Sequence, residues 1–331
     1  MANLRAGLIG LGMMGRHHAR VLAGLEGVDL VAVADPGGDQ HGVAGGRPVL
    51  SSVQELIAAG IDYCMVAVPT IYHEEVGLAL AEAGVHAMIE KPLAQDTPSA
   101  RKLADAFAAK GLVGAVGHIE RYNPALQSAR ARLEAGELGA VYQVTTRRQG
   151  PFPSRIADVG VVKDLATHDI DLTAWVTQQA FTSVGARTAT KSGREFEDLV
   201  AVTGLLADGT VTNHLVNWLS PLKERVTVIT GERGTFVANT LTADLTFYAN
   251  GLVQTTWDDI AQFRGVSEGD VVRFAISKPE PLQVEHQNFR DAVLGKEADI
   301  VTLEQGMATV AVAEAVIESA QTGKTVDLPR I

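Results

Sequence analysis

Titratable side chains crowd into one short and otherwise aliphatic stretch, VVKDLATHDIDL, which runs from Val161 to Leu172. It contains a lysine, three aspartates and a histidine. On a helix entered near Lys163 or Asp164, Asp164 and His168 would share one face, because they are four residues apart. A histidine titrates near neutral pH and can accept a proton, while a neighbouring carboxylate can fix its tautomer or bind a hydroxyl. The stretch therefore indicates proton-transfer chemistry.

Two other interpretations of this stretch compete with the first. An aspartate and a histidine four residues apart also occur on the exposed faces of ordinary helices, where they have no chemical role. A zinc site would need three or four ligands, and no spacing of cysteine and histidine completes such a set, so no metal is predicted. The choice depends on what the rest of the chain builds.

The whole chain excludes several classes of protein. Its 331 residues exceed what one hydrophobic core usually holds, which predicts two domains. The net charge of -11 argues against nucleic acid or an anionic membrane as a partner. The single cysteine, Cys64, lies in an apolar run, and no run approaches the roughly 20 apolar residues of a membrane span. A cytoplasmic protein with a small-molecule substrate is expected.

The first 119 residues alternate short apolar runs with helical patterns. RAGLIG, VDLVAVAD, YCMVAVP, HAMIEKP and LVGAVGH are typical of buried strands. Between them, SSVQELIAAG opens with serines suited to an N-cap and ends in glycine, and TPSARKLADAFAAKG has a Thr-Pro start and a glycine stop, as helices do. The alternation predicts an α/β Rossmann domain, a doubly wound parallel sheet, over residues 1–119.

Three glycines mark the junction of the first strand and the first helix. The sequence G-L-G-M-M-G has the spacing GxGxxG in the strand–turn–helix context that dinucleotide-binding domains require. The first glycine permits a tight turn, the second lets the backbone approach a pyrophosphate, and the third lets helix and strand pack closely. The helix N-terminus offers N–H groups to the phosphates. The predicted cofactor-binding residues here are Gly10, Gly12, Met13, Met14 and Gly15.

The second strand ends in a carboxylate that predicts which dinucleotide binds. Asp35 lies 20 residues beyond Gly15, where such domains carry an acidic residue for the adenosine ribose hydroxyls. A carboxylate repels a 2′-phosphate, and residues 36–40 contain no arginine or lysine to bind one. NAD is therefore favoured over NADP.

The motif Glu90-Lys91-Pro92, at the end of a strand, resembles that of the Gfo/Idh/MocA oxidoreductases. Pro69 and Thr70, followed by His73, look like the nicotinamide-side loop of that family. The glycine motif followed by His18 matches the family's usual opening, and the tail from Asn288 to Leu328 is similar to its closing segment. The resemblance covers nearly the whole chain.

The resemblance implies a second domain, residues 120–331, of the α+β class, with a large, open, mostly antiparallel sheet and helices on one face. The residues agree, because two strand-like runs between Glu197 and Ser220 flank the turn Ala-Asp-Gly-Thr. Two helices are predicted near the end, at about 282–294 and 303–320. In the family the exposed sheet face is commonly an oligomer interface, which implies a homodimer or homotetramer.

The resemblance also assigns roles. The family's polyol and sugar dehydrogenases carry a lysine, an aspartate and a histidine that match Lys91, Asp164 and His168. Hydride transfer from an alcohol requires loss of the hydroxyl proton, and an ammonium group stabilises alkoxide character. His168 is predicted to be the general base, Lys91 the electrostatic partner of the reacting oxygen, and Asp164 an orienting or substrate-binding carboxylate. Whether His168 or Lys91 finally takes the proton stays open. The predicted nicotinamide-side contacts are Pro69, Thr70, His73, Glu90 and Lys91.

One departure from the family pattern bears on the substrate. The family often has Gly-Gly-Gly before the aspartate, and this chain has Gly160-Val-Val-Lys163, which favours a substrate with a carboxylate or phosphate. The segment GHIERYNPA resembles that of members acting on sugars or nucleotide sugars, although Asn123 before Pro124 also fits a helix N-cap. The predicted substrate-binding residues are Arg121, Tyr122, Asn123, Lys163, Asp164 and His168.

Several other basic residues are interpreted as structural or solvated. Arg147, Arg148 and Arg155 surround QGPFPS and could clamp a diphosphate, but a solvated loop is favoured. His214 and His286 show no partners in the sequence and are interpreted as structural.

Together these features predict an NAD-dependent dehydrogenase that oxidises a secondary hydroxyl of a cyclic sugar, sugar derivative or polyol. Two alternatives stay open. A branch resembling this family keeps NAD bound and cleaves glycosides through transient oxidation. A non-catalytic, dinucleotide-binding regulator is the other, and it would have no need of Lys91 and His168.

Overall fold

The computed structural model describes residues 3–153, 159–251 and 269–329, so Arg155 lies outside the described residues. The chain divides into two compact units. The first comprises Met1–Ile119 and Pro279–Glu314, and the second comprises Glu120–Lys278 and Ala315–Ile331.

The first unit is built on a parallel sheet that, in the described residues, has six strands in the order β3-β2-β1-β4-β5-β6. The strand order reverses between β1 and β4, which is the switch point where doubly wound sheets bind ligands at their carboxyl edge. The central strands are buried on both faces, as parallel sheets covered by helices require. The strands are β1 Leu4–Ile9, β2 Val28–Ala34, β3 Val49–Leu50, β4 Tyr63–Val66, β5 His86–Glu90 and β6 Gly114–Gly117.

Helices follow the strands of this unit and begin and end at the residues that the sequence indicated. Ser52 caps the second helix by accepting the N–H of Glu55, and Asp96 caps the fourth by accepting the N–H of Ser99. Gly111 ends the fourth helix in the left-handed conformation, with φ of 62°. The helices are α1 Met13–Ala23, α2 Val53–Ala58, α3 His73–Glu82 and α4 Thr97–Lys110. The predicted Rossmann architecture is confirmed.

The C-terminal part of the chain returns to the first unit. Phe289 is fully buried against Tyr63, and Val301 accepts a backbone hydrogen bond from Val116 at 2.9 Å. Val310 packs in the same hydrophobic cluster as Val116 and Val301. The boundary at 119/120 coincides with the prediction, but the assignment of all of 120–331 to the second domain is corrected for 279–314, because these apolar side chains complete the core of the first unit.

The second unit is built on a sheet that, within the described part of the chain, has nine strands in the order β14-β13-β12-β11-β7-β10-β9-β8-β15. Neighbouring strands are antiparallel except β7 and β10, which are parallel. β9 and β10 form the predicted hairpin. The strands are β7 Val141–Pro151, β8 Phe181–Ala189, β9 Leu199–Leu206, β10 Val211–Asn217, β11 Leu219–Gly231, β12 Gly234–Asn239, β13 Asp244–Ala249, β14 Val271–Arg273 and β15 Val326–Asp327.

Helices cover one face of this sheet and leave the other exposed. The described residues also form helices α5 Pro124–Glu134, α6 Thr167–Thr177, α7 Pro281–Val293 and α8 Leu303–Thr322. Leu126 and Trp175, on α5 and α6, share a buried cluster with Ile229 and Phe236 of the sheet. Leu215, like Val211 and Leu205, is an exposed hydrophobic residue of the hairpin. The predicted open, mostly antiparallel sheet is confirmed. Across the described ranges, no helix has both the length and the apolar character needed to cross a membrane.

Candidate functional site

The carboxyl edge of the first unit's sheet collects the predicted cofactor-binding residues. β1 ends next to Gly10, β2 next to Asp35, and β5 at Glu90. The segment after β4 leads into a 3₁₀ turn, Thr70–Tyr72, whose N-cap is Pro69. Parallel strands end at one edge of a sheet, so residues from four separate parts of the sequence meet there.

The three fingerprint glycines have the different environments that their predicted roles require. Gly10 has φ of 93°, and a Cβ there would lie 2.5 Å from the backbone of Ala67. A Cβ on Gly15 would overlap the carbonyl oxygen of Gly10. Gly12, by contrast, has no protein atom within 4 Å of a Cβ position, so packing does not explain this glycine, whereas close approach of a phosphate would.

The first turn of α1 is suited to an anion. Gly12 is the N-cap residue and provides no side-chain hydrogen bond to the first N–H groups, and the turn contains no acidic residue. Met13 is 45% exposed and Met14 is half-buried. The positive end of a helix with unsatisfied N–H groups binds phosphate, so these residues fit the pyrophosphate of a dinucleotide.

The carboxylate of Asp35 is held in place beside this turn. Its Oδ2 accepts the backbone N–H of Leu11 at 2.8 Å, and its Oδ1 accepts the backbone N–H of Gly37 at 2.8 Å. Each carboxylate oxygen keeps a further lone pair, so the group can still accept hydrogen bonds from ribose hydroxyls. The fixed negative charge fits NAD.

His73 has a different position from the one predicted. Its ring is 1% exposed, with Nδ1 3.0 Å from the carbonyl oxygen of Pro92 and Nε2 3.0 Å from that of Val68. Burial lowers the pKa of this ring below its ordinary value. The prediction of a cofactor contact is corrected, because the ring joins the loop after β4 to the loop after β5 and presents no nitrogen to a ligand.

Glu90 and Lys91 form the most constrained part of this edge. Glu90 is 8% exposed; its Oε1 lies 2.8 Å from His18 Nε2, and its Oε2 accepts the backbone N–H of Lys91 at 3.0 Å. Burial raises the pKa of Glu90, but the hydrogen bond from His18 and the nearby charges outweigh this, and the net pKa is lowered. An ionised Glu90 therefore lies beside the half-buried Lys91.

In the second unit, the VVKDLATHDIDL stretch begins with a π-helical turn, Val162–Ala166, that leads into α6. Asp164 is 5% exposed and His168 is half-buried. The prediction that Asp164 and His168 share one face assumed a regular α-helix, and the π turn changes the rotation per residue between them. Single π turns inside helices are frequent at functional sites.

The start of the π turn is anchored by a residue that the sequence analysis did not identify. Glu197 accepts the N–H of Val162 on its side chain at 3.1 Å and the N–H of Val161 on its carbonyl at 2.9 Å. A Cβ on Gly160 would overlap the Glu197 carboxylate, so glycine is required there. Val161 and Val162 are fully buried, which explains apolar residues where the family often has glycines.

The side chains of Arg121 and Asn123 make hydrogen bonds within the second unit. The Arg121 guanidinium makes a two-point ion pair with Asp171, at 2.8 Å and 2.6 Å, and both side chains are buried. Asn123 caps α5 by accepting the N–H of Ala125, and its amide donates to the carbonyl oxygen of Thr240. Tyr122 is 4% exposed. The N-cap alternative for Asn123 is observed, and the substrate contacts of Arg121, Tyr122 and Asn123 stay predictions.

A second buried ion pair was missed. Arg148 lies in β7, not in a solvated loop, and is 4% exposed. Its guanidinium donates to Asp169 at 2.8 Å and to Glu120 at 2.7 Å. The sequence signal was Asp169, the first aspartate of the triplet Asp169-Ile170-Asp171, which a buried arginine could have been expected to neutralise.

A glycine fingerprint, an acidic residue after β2 and a parallel sheet with a switch point define a dinucleotide-binding protein with a second α+β unit. The comparisons agree. The family model described as "Oxidoreductase family, NAD-binding Rossmann fold" matches residues 4–118, and the GFO/IDH/MocA C-terminal domain matches residues 126–237. The two matches together span more than half of the chain. This chain belongs to the Gfo/Idh/MocA oxidoreductase family, and the predicted NAD-binding domain is confirmed.

Curated relatives match part of the chain. The UDP-N-acetylglucosamine 3-dehydrogenase of Acidithiobacillus ferrooxidans is 33% identical over 216 residues, which are 64% of this chain and 66% of the relative. A myo-inositol dehydrogenase of Streptomyces leeuwenhoekii is 34% identical over 199 residues, 58% of this chain and 61% of the relative. These matches span less than two thirds of either relative.

A solved structure extends the likeness to the whole fold. The UDP-N-acetylglucosamine 3-dehydrogenase of Acidithiobacillus ferrooxidans superposes with a TM-score of 0.84 at 27% identity, covering 97% of this chain and 99% of that one.

Proposed function

We propose that this protein is an NAD-dependent dehydrogenase that transfers hydride between the nicotinamide and a secondary hydroxyl of a cyclic sugar, sugar derivative or polyol. The observation that carries the proposal is the position of Lys91. It follows β5 at the carboxyl edge of the same sheet that holds the glycine fingerprint and Asp35. The relatives' names, a nucleotide-sugar dehydrogenase and an inositol dehydrogenase, support the same reaction class.

Lys91, Asp164 and His168 each have a separate role in the proposed reaction. Bound NAD supplies the hydride acceptor. As the C–H hydride leaves, the hydroxyl proton passes to the imidazole of His168, the general base, and Lys91 stabilises the negative charge that develops on the oxygen. Asp164 orients the imidazole or binds a neighbouring hydroxyl. Proton and hydride leave the same alcohol, which becomes a ketone.

The substrate class follows from the charge beside these groups. Lys163 is half-buried and directly precedes Asp164. A partly desolvated ammonium favours a substrate with a carboxylate or phosphate, such as a sugar acid, a sugar phosphate or a nucleotide sugar, over a neutral polyol.

The experiment that tests this function is NADH formation by the purified protein on inositols, aldoses, sugar acids, sugar phosphates and nucleotide sugars. Lys91→Met and His168→Asn should each lower kcat by about 10²–10⁴-fold on the active substrate while NAD still binds. Lys102→Met, on the exposed face of α4, and His41→Asn, at an exposed position, are the matched controls and should act like wild type.

The other outcomes separate the alternatives. Glycoside cleavage without net NADH would indicate the NAD-retaining hydrolase. NAD binding without turnover of any substrate would indicate the regulator. Full activity of both Lys91→Met and His168→Asn would contradict the assigned roles.

Cofactor choice is tested at Asp35. Asp35→Asn keeps an oxygen for one of the two backbone N–H groups and removes the charge that repels a 2′-phosphate. The ratio of kcat/KM for NAD to that for NADP should fall at least about tenfold, because juxtaposed like charges strongly disfavour binding. An unchanged ratio would refute the role of the charge.

The oligomeric state and the compartment of the protein are part of the same proposal. We expect a homodimer or homotetramer in the cytoplasm, with no nucleic-acid or membrane partner. The exposed face of the second unit's sheet carries the exposed hydrophobic residues Leu205, Val211 and Leu215 among polar ones and suits an interface between copies. Burial raises the pKa of the Cys64 thiol, which keeps it unreactive and is compatible with a reducing compartment. Light scattering would give the oligomeric state.

A further inference from the structure

Behind Glu90 and Lys91 lies a chain of buried titratable side chains from three elements of the first unit. His18 on α1 has its Nε2 2.8 Å from Glu90 Oε1 and its Nδ1 2.8 Å from the Nε2 of His286 on α7. Both rings are 0% exposed. At the other end, Glu90 Oε2 accepts the Lys91 backbone N–H. Hydrogen bonds therefore connect His286, through His18 and Glu90, to the backbone of Lys91.

The carboxylate of Glu90 fixes the direction of each hydrogen bond in this series. An ionised carboxylate only accepts, so His18 donates from Nε2. When the His18 ring is neutral it has one N–H, so its Nδ1 accepts and His286 donates from its Nε2. The Nδ1 of His286 then carries no proton. That atom is buried and has no hydrogen-bond partner among the described residues, so this assignment leaves no buried N–H donor unsatisfied there.

The environment favours the same protonation states. Burial lowers the pKa of His286 well below its ordinary value, and the adjacent His18 acts in the same direction. Next in sequence, Glu285 is 1% exposed, and neither of its carboxylate oxygens has a hydrogen-bond partner. Burial, together with the charge of Glu90, raises the pKa of Glu285 well above its ordinary value. Of the two carboxyl groups, Glu90 thus carries the negative charge and Glu285 is neutral.

We propose that His286 is a positioning residue for Lys91: by donating to His18 it selects the ring tautomer that holds the Glu90 carboxylate, and Glu90 holds the Lys91 backbone. This inference rests on the proposed role of Lys91 in catalysis. Segment 279–314 would then do more than complete the core of the first unit, because α7 supplies the His286 ring that sets the direction of these hydrogen bonds.

The first test does not depend on catalysis. Nitrogen-15 NMR of the full-length protein, labelled in its histidine rings and backbone, distinguishes the two ring tautomers. We expect both His18 and His286 to carry their proton on Nε2. A proton on Nδ1 of His18 in the wild-type protein would overturn the proposal, even if the variants described next did not fold.

Two variants of His286 then separate hydrogen bonding from packing. His286→Leu removes the donor, so the backbone amide resonance of Lys91 should shift. His286→Gln places an amide donor at about the same distance along the side chain and should keep that resonance near its wild-type position. His214→Leu, which removes a buried histidine of the second unit, is the matched control and should leave Lys91 unchanged. An unmoved Lys91 resonance in folded His286→Leu would contradict the inference.

Kinetics complete the test. On the substrate that yields NADH, His286→Leu should lower kcat about tenfold to a hundredfold through misplacement of Lys91, with little change in the KM for NAD. His286→Gln should recover most of this loss. If the wild-type protein forms no NADH with any substrate, the proposed function fails while the tautomer result stands. If the wild type is active and His286→Leu keeps its kcat, the positioning role fails.

Discussion

The two units hold their candidate site residues by opposite electrostatic means. In the first, Glu90 is held through a chain of two imidazoles, so the position of each ring proton decides the geometry. In the second, the helix that carries His168 is anchored by two buried arginine–aspartate pairs, through Asp171 and through Asp169.

This difference has a physical consequence. An arginine guanidinium does not lose its proton in proteins, so the cation of each α6 anchor is permanent, while burial raises the pKa of the Asp169 carboxyl. An imidazole chain can change its tautomer. We therefore expect the Asp169 anchor to weaken as the pH falls and Asp169 gains a proton, and the first unit's site to depend on which ring nitrogens carry the protons.

The largest effect should come from breaking a fixed-charge anchor. Arg121→Met leaves Asp171 buried without its cation, and such loss of one partner costs about 3–5 kcal/mol. Chemical unfolding should show this loss, and the double variant Arg121→Met/Asp171→Leu should recover much of it, since a well-packed apolar pair can replace a buried ion pair. Lys102→Met, which breaks an exposed pair with Glu74, should change stability little.

A substrate-binding role for Arg121 would give a different result. In that case Arg121→Met would raise the KM for the substrate while the unfolding midpoint stayed that of wild type.

The next effect concerns the first unit and depends on pH. The pKa of Glu285 is higher in the folded chain, because of burial and then Glu90, than in the unfolded chain. The folded state therefore keeps a proton that the unfolded state releases, and the free energy of unfolding falls as pH rises above the unfolded value of about 4.3. Glu285→Gln removes this dependence, so its stability advantage over wild type should grow with pH. Parallel pH curves for the two proteins would contradict a neutral Glu285.

The smallest effect tests a cap. Asn123→Ala removes the side chain that accepts the N–H of Ala125, and loss of an N-cap costs about 1 kcal/mol. Ser52→Ala, at the start of α2, is the matched cap in the first unit and should cost a similar amount. A raised substrate KM with unchanged stability in Asn123→Ala would support the substrate contact after all.

The sequence was sufficient for the parts of the fold that depend on local pattern. Apolar runs, caps such as Ser52 and the glycine fingerprint are short-range signals, and they located the strands and helices of the first unit. The lysine after β5 and the acid after β2 were found for the same reason, since strand ends in this fold lead to one edge.

The contacts that position the site residues could not be predicted from local sequence patterns. Arg121 and Asp171 are 50 residues apart, and His18 and His286 are 268 apart, so no local pattern joins them. The π turn at Asp164 shifts the backbone hydrogen-bond register, and no residue type in the sequence signals that shift. His73 was misassigned because a histidine beside a ligand loop and one braced by carbonyl oxygens have the same sequence context.

The return of residues 279–314 to the first unit has a consequence for how the protein is made. A ribosome releases the parallel strands first, but Phe289 and Val301, which complete their core, emerge only after residues 120–278 of the second unit have been synthesised. The nascent first unit must therefore wait, with part of its apolar surface uncovered, until residues 279–314 leave the exit tunnel.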